Sequence, residues 1–128
     1  MSTITVTNIK ATGETASRAV SGVAAAWVSF NGTSPSVRGS QNVSSVVDFG
    51  TGDHQVNITN AMANGNYATT AACGPTAALG GSNNVGVSFQ TDNTPPAASL
   101  FRPVTRRRDN STDSDVSYAF SAAFGDLA

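Results

Sequence analysis

Polar and apolar side chains alternate with a period of two along most of this chain, the signature of strands with one dry and one wet face. The pattern is clearest around a Gly-Thr-Gly-Asp run at residues 50–53. Val56 and Ile58 point one way and Gln55, Asn57 and Thr59 the other, while the glycines supply the positive φ angles a tight reversal needs. Residues 46–49 and 54–59 are therefore predicted to pair as a hairpin.

The rest of the chain continues in the same manner. Residues 3–9, TITVTNI, are β-branched almost throughout and predict an extended strand, whereas 15–23 leave open a short helical turn or further extension. In residues 24–31 Ala26, Val28 and Phe30 alternate with Trp27 and Ser29, so both faces are partly apolar. Such a strand is buried on both sides, or its outer face meets another subunit. Residues 37–42 are polar, carry Arg38 and suit a sheet edge. Residues 67–73 place Tyr67, Thr69, Ala71 and Cys73 on one face, and 85–89 turn Val85, Val87 and Phe89 inward. In residues 116–124 Val116, Tyr118, Phe120 and Phe124 alternate with Ser117, Ala119, Ser121 and Ala123, which predicts a central strand. Glycine-rich residues 74–84 read as a flexible excursion. Residues 91–115 hold Pro95, Pro96 and Pro103 and read as the longest irregular stretch. Short strands about ten residues apart with turn signals between them predict an all-β, compact antiparallel sandwich or barrel of seven or eight strands. Residues 1–23 form an N-terminal arm, for docking or for an edge strand, and residues 24–128 the domain.

Composition adds a constraint. The chain has 128 residues, enough for one domain, but only 12% are charged against roughly 25% in ordinary globular chains. With few large apolar side chains as well, its stability has two sources: a thin sandwich, or flat faces buried against copies of itself. The second is expected. A formal net charge of −1 gives no electrostatic reason to seek nucleic acid or an anionic membrane. No apolar run reaches the length of a membrane span and the N-terminus does not resemble a signal peptide. Cys73 is the only cysteine and reads as a small buried hydrophobe.

Candidate chemistry is sparse. His54 is the only histidine, and no second Cys or His stands ready to close a metal site, so neither metal nor cofactor is expected. The spacing of Asp48, Asp53, Asp92 and Asp126 suggests no carboxylate pair for sugar hydrolysis. Asp109, Asp113 and Asp115 lack the spacing of a calcium loop. The chain is accordingly read as a non-enzyme. Trp27 reads as a core or interface anchor rather than a platform for a sugar ring. Arg106, Arg107 and Arg108 form the one charge run. They suit bidentate contact with an acidic glycan or phosphate, or a solvated loop compensated by the neighbouring aspartates, or a salt-bridged contact between protomers.

Five pieces of sequence occur in a familiar order: AWVSFNGT at 26–33, NVSS at 42–45, GTGDHQVNITNAM at 50–62, NY at 66–67 and FGD at 124–126. In this the chain resembles a β domain of tail-fibre and fibre-like virion proteins of tailed bacteriophages, particularly marine ones. The resemblance implies a virion structural protein made in the bacterial cytoplasm and working as a homo-oligomer, with a trimer expected. It would associate with other virion proteins and contact a glycan of the host surface, with the Arg106–Arg108 loop as the place to expect a binding specialisation. A capsid decoration or head-fibre protein and a carbohydrate-binding module are the alternatives.

Overall fold

The computed structural model describes residues 2–6, 8–9, 18–19, 23–74, 85–89, 95–107 and 112–128. Every strand pairing among them is antiparallel, and none of them is helical. In chain order the strands are β1 (Asn8–Ile9), β2 (Arg18–Ala19), β3 (Ala26–Asn31), β4 (Ser36–Gln41), β5 (Val43–Gly50), β6 (Asp53–Ile58), β7 (Ala68–Gly74), β8 (Val85–Phe89), β9 (Leu100–Phe101), β10 (Pro103–Arg107) and β11 (Tyr118–Phe124). A four-stranded sheet in the order β4-β3-β11-β7 faces a five-stranded one in the order β5-β6-β10-β8, with β9 also paired to β6. The expected all-β sandwich is the observed architecture.

The inner faces follow the alternation. Ala26, Val28 and Phe30 of β3 and Ala119 and Ala123 of β11 meet Val56 and Ile58 of β6 and Phe101 of β9 in one core, completed by Val116 and Met62. Small residues on β11 let the two sheets approach closely there. The hairpin predicted around residues 50–53 is present, with Val56 and Ile58 buried as expected. β11 is central and β4 lies at an edge, also as expected.

Asn42 turns the chain from one sheet into the other. It sits between β4 and β5 with a φ of 56°, a left-handed conformation that Asn tolerates better than most residues. Its side-chain amide donates to the carbonyls of Ala25 (3.1 Å) and Asn60 (3.0 Å), and its Oδ1 accepts from the Asn60 amide at 2.7 Å. One side chain therefore ties three segments together at the corner.

Three expectations need correction. Residues 91–115 are not irregular throughout: they supply β9 and β10, which raise the strand count above seven or eight, and they place Phe101 and Val104 in the interior. Pro103 stands at the first position of β10, where a missing N–H costs the ladder little. Trp27 is not a core residue, because its neighbours Ala26 and Val28 take the inner face and turn the indole outward. Of residues 3–9, only Asn8–Ile9 is a strand among the described residues. It pairs with Arg18–Ala19 as a separate ladder, not as an edge of either sheet, and so residues 18–19, left open between helix and strand, are extended.

Tyr67 closes one end of the sandwich. Its ring meets Phe101 edge-on at 6.4 Å, and its hydroxyl proton is shared between the carbonyls of Ala97 (3.0 Å) and Leu100 (2.8 Å). Burial pushes the phenol from its ordinary 10.0 up to about 12. Because the folded value lies above the unfolded one, the contribution is complete below pH 10 and is lost as the pH rises from there toward 12. Tyr67→Phe is expected to cost about 1 kcal/mol at neutral pH and to remove that part of the alkaline loss. A variant whose urea midpoint falls just as steeply between those pH values would show that another group titrates.

Candidate interaction surface

The two outer faces of the sandwich differ in kind. On the five-stranded sheet β5 and β6 present a polar ladder: Gln55 Nε2 donates to Asn57 Oδ1 at 2.7 Å, and Asn57 Nδ2 donates to Ser45 Oγ at 2.8 Å. Beside it Arg102 forms a two-point ion pair with Asp53, its Nε at 3.2 Å from Oδ1, and its guanidinium lies 4.3 Å from the centre of the exposed Phe49 ring. That face is mixed: its polar side chains are hydrogen-bonded to one another, and Val47 and Phe49 stand exposed beside them.

The outer face of the four-stranded sheet is apolar. Trp27 is 39% exposed, Phe120 43% and Tyr118 50%. Between Trp27 and Phe120 runs a groove of about 470 Å³ whose floor is Ser29, Ala122, Thr70 and Ala72. The indole Nε1 donates to Gln41 Oε1 at 3.1 Å, which fixes the ring orientation, and the ring lies over Gly39. Tyr118 and Phe120 stack at 6.5 Å, and the Arg38 guanidinium sits 4.2 Å from the Tyr118 ring centre. Arg38 is held in turn by the Phe30 carbonyl at 2.9 Å. Large aromatics aligned on one face, with charge only at the rim, have the anatomy of an interface.

Of the arginine run, Arg106 is compensated by a neighbouring aspartate, one of the readings its sequence allowed. Arg106 Nε donates to Asp113 Oδ1 at 2.6 Å, and this pairing raises the guanidinium pKa above its ordinary value. The Arg107 amide donates to the Thr112 carbonyl at 2.9 Å, and Arg108 lies outside the described residues. Of the other candidates, Asp115 accepts from the Gly52 amide at 2.6 Å and Asp48 from the Gly50 amide at 2.8 Å. Asp92, Asp109 and residues 75–84 lie outside the description. His54 is fully buried against Phe30, with Nε2 3.1 Å from the Gly32 carbonyl. Cys73 is half-buried, its thiol 3.6 Å from the Val85 carbonyl at the seam between the sheets. Among the described residues no group of three or more His, Cys, Asp or Glu is placed to hold a metal ion.

Tyr118 and Phe120 are the surface residues that sequence reasoning did not bring forward. The available signal was their alternation with residues small enough to be the buried side. No family model, no curated protein and no solved structure matches the chain.

Proposed function

We propose that this chain is a non-enzymatic structural component of a tailed-bacteriophage particle, a tail-fibre or fibre-like element that assembles with copies of itself. The observation that carries the reading is the cluster of exposed aromatic side chains, Trp27, Tyr118 and Phe120, on the outer face of the four-stranded sheet. A thin sandwich that leaves Trp27, Tyr118 and Phe120 in water gains by covering them, as a repeated building block does. The ordered sequence pieces at 26–33, 42–45, 50–62, 66–67 and 124–126 supply the phage context.

Antibody raised against the purified protein is expected to decorate the tails of intact particles of the phage that encodes it. Labelling of the head would favour a capsid decoration protein, and particles that never label would exclude a virion role. The exposure of Trp27 favours a second reading, a carbohydrate-binding module. It ranks below the first because the groove beside Trp27 offers few polar groups to take sugar hydroxyls.

A further inference from the structure

The register of the four-stranded sheet says which surface covers the aromatic face. Two rows of outward side chains are paired across all four of its strands, with the Tyr118–Gly74 pair beyond them on one side and the Phe124–Ala68 pair on the other. Gln41, Trp27, Ala122 and Thr70 form one row, and Gly39, Ser29, Phe120 and Ala72 the next. Large and small residues therefore exchange places between the two middle strands: Trp27 is the knob on β3 beside the small Ala122, and Phe120 is the knob on β11 beside the small Ser29. Trp27 leans over Gly39 of β4, which leaves Ala122, Thr70 and Ala72 as the low side of the face.

This pattern is its own complement. A two-fold axis parallel to the strands and midway between β3 and β11 reverses the order of strands in a facing copy and leaves each row opposite itself. Trp27 of one subunit then stands over Ala122 and Thr70 of the partner subunit, and Phe120 over Ser29 of the partner subunit. Each large side chain meets a small one, as interdigitated sheets packed at about 10 Å require. We infer that the outer face of the four-stranded sheet is the docking surface for a second copy of this chain, paired face to face about that axis. The inference rests on the self-assembling reading above and specifies its contact. An unrelated partner has no reason to carry this matching register, whereas a second copy carries it by symmetry. A three-fold assembly through the same face would not be isologous and would leave the match unused.

The test uses the full chain, with light scattering for molar mass and the emission of Trp27, the only tryptophan, as a reporter of cover. The wild type is expected at twice the protomer mass, its emission moving to the red as dilution separates the pair. Ala122→Trp places a knob opposite a knob and is expected to raise the dissociation constant at least about 30-fold, as at a hot spot. Its circular dichroism should be unchanged, since Ala122 faces outward. Trp27→Ala combined with Ala122→Trp exchanges knob and hole and is expected to restore the dimer. A monomeric or trimeric wild type, an Ala122→Trp variant that pairs like the wild type, or a double variant that stays monomeric would each overturn the inference. A protein that labels particles but does not dimerise defeats the pairing alone. A dimer never found on particles defeats the virion reading alone.

Discussion

Phe101→Ala is expected to lower the stability of the fold by about 3–5 kcal/mol, the range for emptying a buried aromatic site. Phe101 is completely buried on β9, opposite Val56 in the register, with the edge of Tyr67 against its ring. β9 has only two residues, and Phe101 is the one side chain it sends fully into the core, while Tyr67 and the Ile58 amide hold the segment by hydrogen bonds. Truncation leaves a cavity that the flanking strands cannot close without giving up their pairing. Against a total stability of about 5–15 kcal/mol for a typical domain, such a loss decides whether the variant folds at ambient temperature. Urea unfolding followed by circular dichroism measures it, with Leu100→Ala as the half-exposed control from the same strand. A shift below about 1 kcal/mol, the range of substitutions that empty no core site, would mean that β9 is not docked as described.

Phe101 also shows where sequence reasoning loses contact with this fold. It lies among Pro95, Pro96 and Pro103, and prolines counted along a chain read as a loop. What matters physically is whether each missing N–H faces a partner strand. At the head of β10 the cost is small, so Pro103 coexists with a strand between β6 and β8. By contrast, the β5–β6 hairpin was legible because β6 has a single apolar face, Val56 and Ile58, and the glycines of its turn mark the reversal. In β11 both faces could be dry, and periodicity separates two faces without saying which is inside. The interior took Ala119, Ser121 and Ala123, leaving Tyr118 and Phe120 outside.

The candidate surface was legible to the same degree. The mixed apolar character of residues 24–31 indicated a strand buried on both sides or one whose outer face meets another subunit; in the fold the inner row of β3 is core and the outer row carries the exposed Trp27. The register that sets Trp27 beside Ala122 and Phe120 beside Ser29 joins residues nearly a hundred positions apart, and no local pattern contains it. The arginine run drew attention as the densest charge in the chain. Its first member is held by Asp113, a partner that becomes adjacent only when the chain folds back after β10.

The same fold-back explains why Gly52→Ala is expected to be severe although the turn it occupies is on the surface of most hairpins. Gly52 has a φ of 72°, and a Cβ there would stand 2.4 Å from the Thr105 carbonyl oxygen and 2.7 Å from the Ser114 amide nitrogen. Both are backbone atoms with no rotamer by which to yield. The turn is pinned between β10 and residues 113–115: the Thr105 amide donates to the Gly52 carbonyl at 2.8 Å, and the Gly52 amide donates to Asp115 Oδ1 at 2.6 Å. A left-handed non-glycine residue costs about 1–3 kcal/mol and each lost hydrogen bond about 1 kcal/mol more, so about 3 kcal/mol or more is expected. Gly50→Ala separates the two causes. Gly50 also has a positive φ, 133°, but nothing lies within 4 Å of its added Cβ, so it should carry the conformational cost alone. Equal losses at the two positions would show that the turn is not clamped by β10. A larger loss at Gly52 would mean that the hairpin turn is clamped between β10 and residues 113–115.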